Sequence, residues 1–457
     1  MRILDYLSLS DNITIYLTKG NYNIVCEKLD SNGKSQYDYF SVNKTGKMIL
    51  ESIDGTKTLK EFILMFIKQN LLTADDFDWI YKFLIEMNSR GVVVFTDAKS
   101  DKCKVLRVFG EDTLISPMHV TVEITEKCNL YCAHCYLNAS CNRTTAINFE
   151  MFKNLVEQFK KNKVLSIEIT GGEVFMNRDA DRILKYAFDN FARVALLTNG
   201  TILKSTSLEI LKTNKDKLAV SISLDSTEEE LHDKFRGAKG AFKSTCRNIK
   251  KLSDSGIFVR VASSIFKDNM WEIDKLAELA LQLGAKAFAY NFIEDFGRGV
   301  VFSNKNKIDF TEQYSDYLVN TVLKYKDIIP IIETDEFLKT SSNCGAGTNS
   351  ILVGADGNLR PCALFPKNTI FGNIFESNME DIFSSETYQK LSEILPPSSQ
   401  NGCPESCPKY NQCFGCYMKG LEANLNNDKY SYCPWVKYNE LEKFMNYYKQ
   451  GRLSYNG

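Results

Sequence analysis

Between residues 118 and 305 the chain alternates six times between a short apolar-rich run and an amphipathic helical stretch. The candidate strands are His119–Ile124, Leu165–Thr170, Arg193–Thr198, Leu218–Leu224, Phe258–Ser264 and Ala287–Phe292. Strands separated by helical crossovers pair in parallel, so the pattern predicts an α/β fold with helices outside the sheet. Six units are fewer than the eight of a closed barrel, which predicts a partial (β/α)6 barrel. Side chains alternate sides along a strand. Val120, Val122 and Ile124 thus oppose His119, Thr121 and Glu123; Ile167 and Ile169 oppose Ser166, Glu168 and Thr170; Val220, Ile222 and Leu224 oppose Ser221, Ser223 and Asp225. Helices would cover the apolar faces and leave a polar lumen for solvent or ligand. The plainer alternative is a sheet with one solvated face.

Residues 1–100 read as a separate winged-helix-like unit: strands at Ile13–Leu17 and Tyr22–Leu29, helices at Lys44–Ile53, Leu59–Lys68 (capped by Thr58) and Asp75–Ser89, and a closing strand at Val92–Phe95. Residues 101–117 read as a linker and 306–340 as a connector. Residues 341–440, rich in Cys, Gly and Pro, predict an irregular segment that needs a metal staple. The last residues, 441–457, predict a helix and tail.

Formal net charge is −1, with 56 basic and 57 acidic residues and no basic stripe. That balance argues against a nucleic-acid partner, even for the winged-helix-like unit. No apolar run approaches a membrane span, and Met1–Ser10 lacks the features of a signal peptide, which predicts a cytoplasmic protein. Thiols stay reduced there, so the 14 cysteines point to metal binding or catalysis rather than disulfides. Cys26, Cys103, Cys141 and Cys246 are scattered; the others form a trio and a C-terminal group. The trio, Cys128, Cys132 and Cys135, has CX3CX2C spacing directly after the first strand, at the sheet end where ligands bind in such folds. Three thiolates suit a [4Fe–4S] cubane with one iron left for a substrate. A zinc site completed by His134 is the alternative.

The trio in this setting resembles the signature of the radical S-adenosylmethionine enzymes, in which an aromatic residue often precedes the third cysteine; here that place holds His134. The resemblance implies that the methionyl amine and carboxylate chelate the open iron and that an electron from the cluster yields a 5′-deoxyadenosyl radical. It implies cofactor contacts from Gly171-Gly172-Glu173 after the second strand, Thr198 and Asn199 after the third, Ser223 and Asp225 at the fourth, and Arg236 as partner of the methionyl carboxylate. Cys344, Cys362, Cys403, Cys407, Cys413, Cys416 and Cys433 resemble a SPASM domain, though the middle spacing, CX3CX5CX2C, departs from that domain's usual CX2CX5CX3C. By that resemblance Cys403, Cys407, Cys413 and Cys433 hold one auxiliary cluster, and Cys344, Cys362 and Cys416 hold another with an open iron, making three [4Fe–4S] clusters in all. A zinc ribbon is the alternative there.

Residues 1–100 resemble the recognition element by which peptide maturases bind a leader peptide. Four stretches, Glu168–Glu173, Asp295–Gly299, Asn343–Gly347 and Arg360–Lys367, resemble the sactipeptide maturases of the subtilosin A and thuricin type. The resemblance implies sulfur-to-α-carbon thioether formation in a bacteriocin precursor, with flavodoxin or ferredoxin as reductant. Another peptide oxidation within the same architecture (a β-carbon thioether, a carbon–carbon crosslink, sulfatase maturation) is equally compatible with the cofactor residues. An RNA-modifying enzyme and a zinc-stabilised regulator are the alternatives of other classes.

Overall fold

The computed structural model describes residues 5–446 apart from 12, 20, 30–34, 71–72, 74–75, 100–106, 112, 295, 334–344, 366, 368–370 and 426–432. The chain divides into two compact units, Met1–Ser116 and Pro117–Gly457.

In the first unit, β1 (Tyr6–Leu9) pairs antiparallel with β5 (Val93–Thr96). A four-stranded sheet runs β4 (Ser35–Val42), β3 (Asn21–Leu29), β2 (Ile13–Thr18) and β6 (Arg107–Gly110). The expected helices form at Lys44–Glu51, Leu59–Gln69 and Asp76–Ser89. Thr58 starts the second through a capping box: its hydroxyl accepts from the Glu61 amide while the Glu61 carboxylate accepts from the Thr58 amide. Ile15, Ile24, Ile49, Leu50, Phe62, Ile80 and Leu84 are sealed in its core. One expectation fails here: β6 lies inside 101–117, so part of the supposed linker is a strand paired in parallel with β2. Its partner is about ninety residues earlier, beyond the reach of any local pattern.

In the second unit, β7 (His119–Glu123), β8 (Ser166–Thr170), β9 (Arg193–Thr198), β10 (Leu218–Ser223), β11 (Phe258–Ile265) and β12 (Ala287–Phe292) lie side by side in parallel, as the sequence predicts. The sheet does not stop there. β13 (Ile331–Glu333), within the supposed connector, adds to β12. β14 (Ser350–Val353) adds in parallel to β7, and β15 (Leu359–Arg360) pairs antiparallel with β14, giving nine strands. The segment 341–440 is also more regular than expected, with helices at Met379–Ser384, Glu386–Glu393, Tyr410–Cys413, Tyr417–Leu425 and Pro434–Tyr438.

The crossover helices form because their apolar residues recur at helical spacing. Phe149–Lys161 is capped by Asn148 and buries Phe152, Leu155, Val156 and Phe159 against the sheet. The facing strand residues Val120, Val122, Ile167, Ile169, Val220 and Ile222 are fully buried. Each such aliphatic side chain contributes about 1.5–3 kcal/mol. The opposite parity is left to the lumen, where a cavity of about 420 Å³ is lined by His119, Thr121, Glu168, Thr170, Ser221 and Ser223 among others.

Candidate active site

The cysteine trio occupies the loop that leaves β7, and backbone from three other segments holds that loop. Gly172 and Glu173 donate to the carbonyls of Thr125 (2.7 Å) and Lys127 (2.9 Å). Tyr131 and Ala133 donate to Arg236 (3.1 Å) and Phe235 (3.0 Å), and Arg298 donates to Cys135 (3.1 Å). The Arg298 guanidinium adds bonds from Nε to the Cys132 carbonyl (2.8 Å) and from Nη1 to that of Ala139 (3.1 Å), and it lies 4.0 Å from the Tyr131 ring. Two glycines are obligatory. At Gly171 (φ +139°) a Cβ would sit 2.3 Å from the Thr125 carbonyl oxygen, and at Gly297 (φ +52°) 2.5 Å from that of Cys135. The glycine pair thus serves a close approach to the cysteine loop as well as to the cavity it lines.

Cys128, Cys132 and Cys135 all face the lumen cavity, together with His134, Gly171, Gly172, Thr198, Asn199, Ser223 and Arg236. Burial pushes the Cys128 thiol up to about 12. Burial also raises Cys132, against the Arg236 guanidinium, whose Nη1 lies 3.8 Å from its sulfur. Buried thiols of this kind ionise when a metal supplies the positive charge. His134 stacks on Phe235 at 4.4 Å, and its Nε2 is 3.3 Å from Ser264 Oγ. Burial pushes it down to about 3, so the ring is neutral.

Two expected contacts are made differently. Asp225 is fully buried and absent from the cavity wall. Its carboxylate accepts from Arg236 Nε (2.5 Å) and Nη2 (2.8 Å) and from the Ser264 amide (2.9 Å). It therefore anchors Arg236 and has no free oxygen for a ribose. The same pair leaves Arg236 only Nη1 toward the cavity, so the full guanidinium fork is not free for a carboxylate. Glu173 is likewise spent. It accepts from Thr198 Oγ1 (2.7 Å), the Asn199 amide (2.9 Å) and the Phe175 amide (3.2 Å), bracing the turn after β9. Its proton affinity is raised by burial, against those bonds.

Sequence inspection missed Arg260 and Asn291, which line the lumen from β11 and β12; the strand parity that exposed Ser221 and Ser223 would have found both. It also missed two ion pairs that tie the trio's strand and loop to the stretch around Cys362. Arg360 Nη2 meets Glu123 Oε1 at 2.7 Å with both side chains buried, and Lys367 pairs with Glu126. Cys362 itself faces the lumen cavity. Cys403, Cys407, Cys413 and Cys433 line a separate cavity of about 240 Å³ with Trp435. Cys416 is buried but does not line that cavity, and Cys344 lies outside the described residues. Among the described residues no three His, Cys, Asp or Glu side chains converge on the geometry of one metal ion.

A family model described as the radical SAM superfamily matches residues 122–280, and one described as an iron–sulfur cluster-binding domain matches residues 344–417. The antilisterial bacteriocin subtilosin biosynthesis protein AlbA of Bacillus subtilis (strain 168) is 41% identical over 412 residues, covering 89% of this chain and 91% of its own. The chain is a radical SAM enzyme of this maturase family. The sporulation killing factor maturation protein SkfB of the same organism is 30% identical over 281 residues, covering 61% of this chain and 68% of its own. The crystal structure of Streptococcus suis SuiB bound to S-adenosylmethionine shares the fold, with a TM-score of 0.59 at 17% identity, over 91% of this chain and 96% of that one.

The radical SAM enzyme uses S-adenosylmethionine and [4Fe–4S] clusters, and the donor set fits them: three thiols, Cys128 buried and Cys132 and Cys135 half-buried, open to one cavity beside the Arg236 guanidinium. Among its described residues no helix is long and apolar enough to cross a membrane.

Proposed function

We propose that this radical SAM enzyme installs sulfur-to-α-carbon thioether bridges between cysteines and acceptor residues of a ribosomally made bacteriocin precursor. The observation that carries the reading is the lumen cavity, where the trio and Cys362 line one space, in a chain 41% identical over nearly its full length to a subtilosin biosynthesis protein. Bound there, the trio's cluster and S-adenosylmethionine would supply a 5′-deoxyadenosyl radical, with auxiliary clusters supplying a thiolate site and an electron sink.

The chain's own residues supply position and dryness. Cys128, Cys132 and Cys135 would hold the first cluster, and the clamps from Arg298, Gly171 and Gly172 fix their loop. Arg236 Nη1, oriented by Asp225, offers a cation beside Cys132, Ser223 offers its hydroxyl, and Thr198 and Asn199 wall the same cavity. Cys403, Cys407, Cys413 and Cys433 would hold one auxiliary cluster, and Cys362 and Cys416, with Cys344, another. Cys362 brings that second site to the lumen wall, so a substrate thiol bound beside it lies in the same space as the reacting α-carbon. The leader peptide would add to the first unit's sheet at β4, its outer strand among the described residues, by pairing backbone to backbone. A small electron carrier of the flavodoxin or ferredoxin type would reduce the enzyme.

Each bridge removes two hydrogens, the α-hydrogen and the thiol proton. Mass spectrometry of a precursor co-produced with the enzyme should show that loss, with backbone fragmentation placing it at an α-carbon. Loss at a β-carbon would give the bridge to a different acceptor atom, and an unchanged mass would sink the reading.

A further inference from the structure

A second cavity, of about 370 Å³, adjoins the lumen and shares His134, Tyr136, Asn291 and Ala363 with it. Its remaining walls are mostly apolar. Phe292, Ile293 and Phe296 come from the stretch that ends β12 and follows it, and Leu364 comes from the stretch after Cys362. The wall is braced from behind, since Phe292 meets Phe310 edge-on at 5.0 Å. Its charged lining residues are already paired: Lys419, on the helix that follows Cys416, meets Glu294 at 2.8 Å. On the wall common to both cavities, His134 Nδ1 is buried with no hydrogen-bond partner among the described residues. That nitrogen calls for a polar partner, which the backbone of an occupant, and not an apolar side chain, would supply.

A residue whose α-carbon reaches the lumen must put its side chain somewhere. The lumen wall is mixed and carries the cysteine trio, Arg236, Arg260 and Glu168. The adjoining cavity is the more apolar of the two, and its volume lies in the range of small-molecule pockets. An aromatic or branched side chain buried there gains about tenfold to a hundredfold over alanine. A charged side chain would have to break the Lys419–Glu294 pair or go unpaired.

We propose that this cavity receives the side chain of the acceptor residue, and that Phe296 and Leu364 restrict that residue to the large apolar class. The inference rests on the thioether reading for the word acceptor, but the selectivity of the cavity can be measured without it. The probes are the N-acetyl methylamides of phenylalanine, leucine, tryptophan, alanine and glutamate, titrated by ligand-observed NMR into the full-length protein reconstituted with iron and sulfide and saturated with S-adenosylmethionine. The expected result is at least tenfold tighter binding of the phenylalanine and leucine amides than of the alanine or glutamate amide. Leu364→Trp should erase that preference by filling the cavity. Phe296→Ala, which enlarges it, should move the preference to the tryptophan amide and so serves even where the first variant folds poorly. Equal binding of all the amides, no binding of any, or a preference that neither substitution alters would overturn the proposal. A wild-type enzyme that selects among the amides yet bridges no precursor would strike the thioether reading instead, and leave the pocket in place.

Discussion

The two cysteine sites of the second unit are held in opposite ways. The trio's loop is tied by backbone and guanidinium bonds to Gly172, Arg236 and Arg298, which are tens to more than a hundred residues away in sequence. The 403–433 group sits mostly on short local turns: Cys403 donates to Ser398, Cys407 to Pro404 and Cys413 to Lys409. The first site is preorganised by nonlocal bonds, whereas the second, closed mainly by local turns, should depend more on what its cysteines bind. Nonlocal bonds resist local opening; turns closed within a few residues do not.

The sharpest way to break this comparison is to remove both sets of sulfurs. Replacing Cys128, Cys132 and Cys135 together by alanine should abolish 5′-deoxyadenosine formation, a loss of about a thousandfold or more, worth roughly 4 kcal/mol of barrier. The melting of the barrel should hardly move, because the clamps remain. Product chromatography and calorimetry read the two effects separately; a barrel that unfolds with the triple change would show that the loop is not preorganised.

Next in size is Asp225→Asn, which leaves the buried Arg236 guanidinium without its counter-charge and should cost about 3–5 kcal/mol in urea unfolding. A cost near zero would mean that the Asp225–Arg236 pair does not hold the trio's surroundings.

Replacing Cys403, Cys407, Cys413 and Cys433 by alanine should raise amide exchange over residues 398–438 about a hundredfold while the β7–β12 strands keep their protection. Equal protection in variant and parent would put the two sites on the same footing.

The smallest effect is a pH dependence that belongs to the barrel alone. Burial pushes His232 down to about 4, against the pull of Asp225. The geometry agrees, since its Nδ1 accepts from the Asp225 amide at 3.2 Å and so carries no proton. An unfolded chain takes up this proton below about 6.5, and the folded one refuses it until about 4. Stability is therefore complete above 6.5 and falls as pH drops through that window, by about 1.4 kcal/mol per unit. Urea titrations at pH 7 and pH 5 should show the fall, and His232→Asn should lessen it, leaving the part owed to His119 and His134, which burial also pushes down.

Much of the barrel was legible because its signals are local. Alternating apolar residues set six strands and their parity set the polar lumen; in the first unit Thr58 likewise marked a helix start. The trio was legible because its three cysteines fall within eight residues. The engagement of Asp225 and Glu173 was not, since each accepts hydrogen bonds from residues on other loops and strands. Nor was β6 inside the supposed linker, or the return of β14 to the side of β7 more than two hundred residues later. A four-residue apolar run such as Ser350–Val353 carries no mark of which edge it will join.

The amino-acid order by itself determined the parallel sheet, the cysteine loop after its first strand and the class of chemistry, because each rests on spacing within a short stretch. The tertiary structure alone decided which polar groups face the cofactor cavity and which are consumed in holding it open. It alone brought Cys362, Leu364 and Lys419 to the walls that flank the trio. The reason is that hydrogen bonds and ion pairs are settled by proximity in space, and a carboxylate already satisfied by a neighbour has nothing left for a ligand.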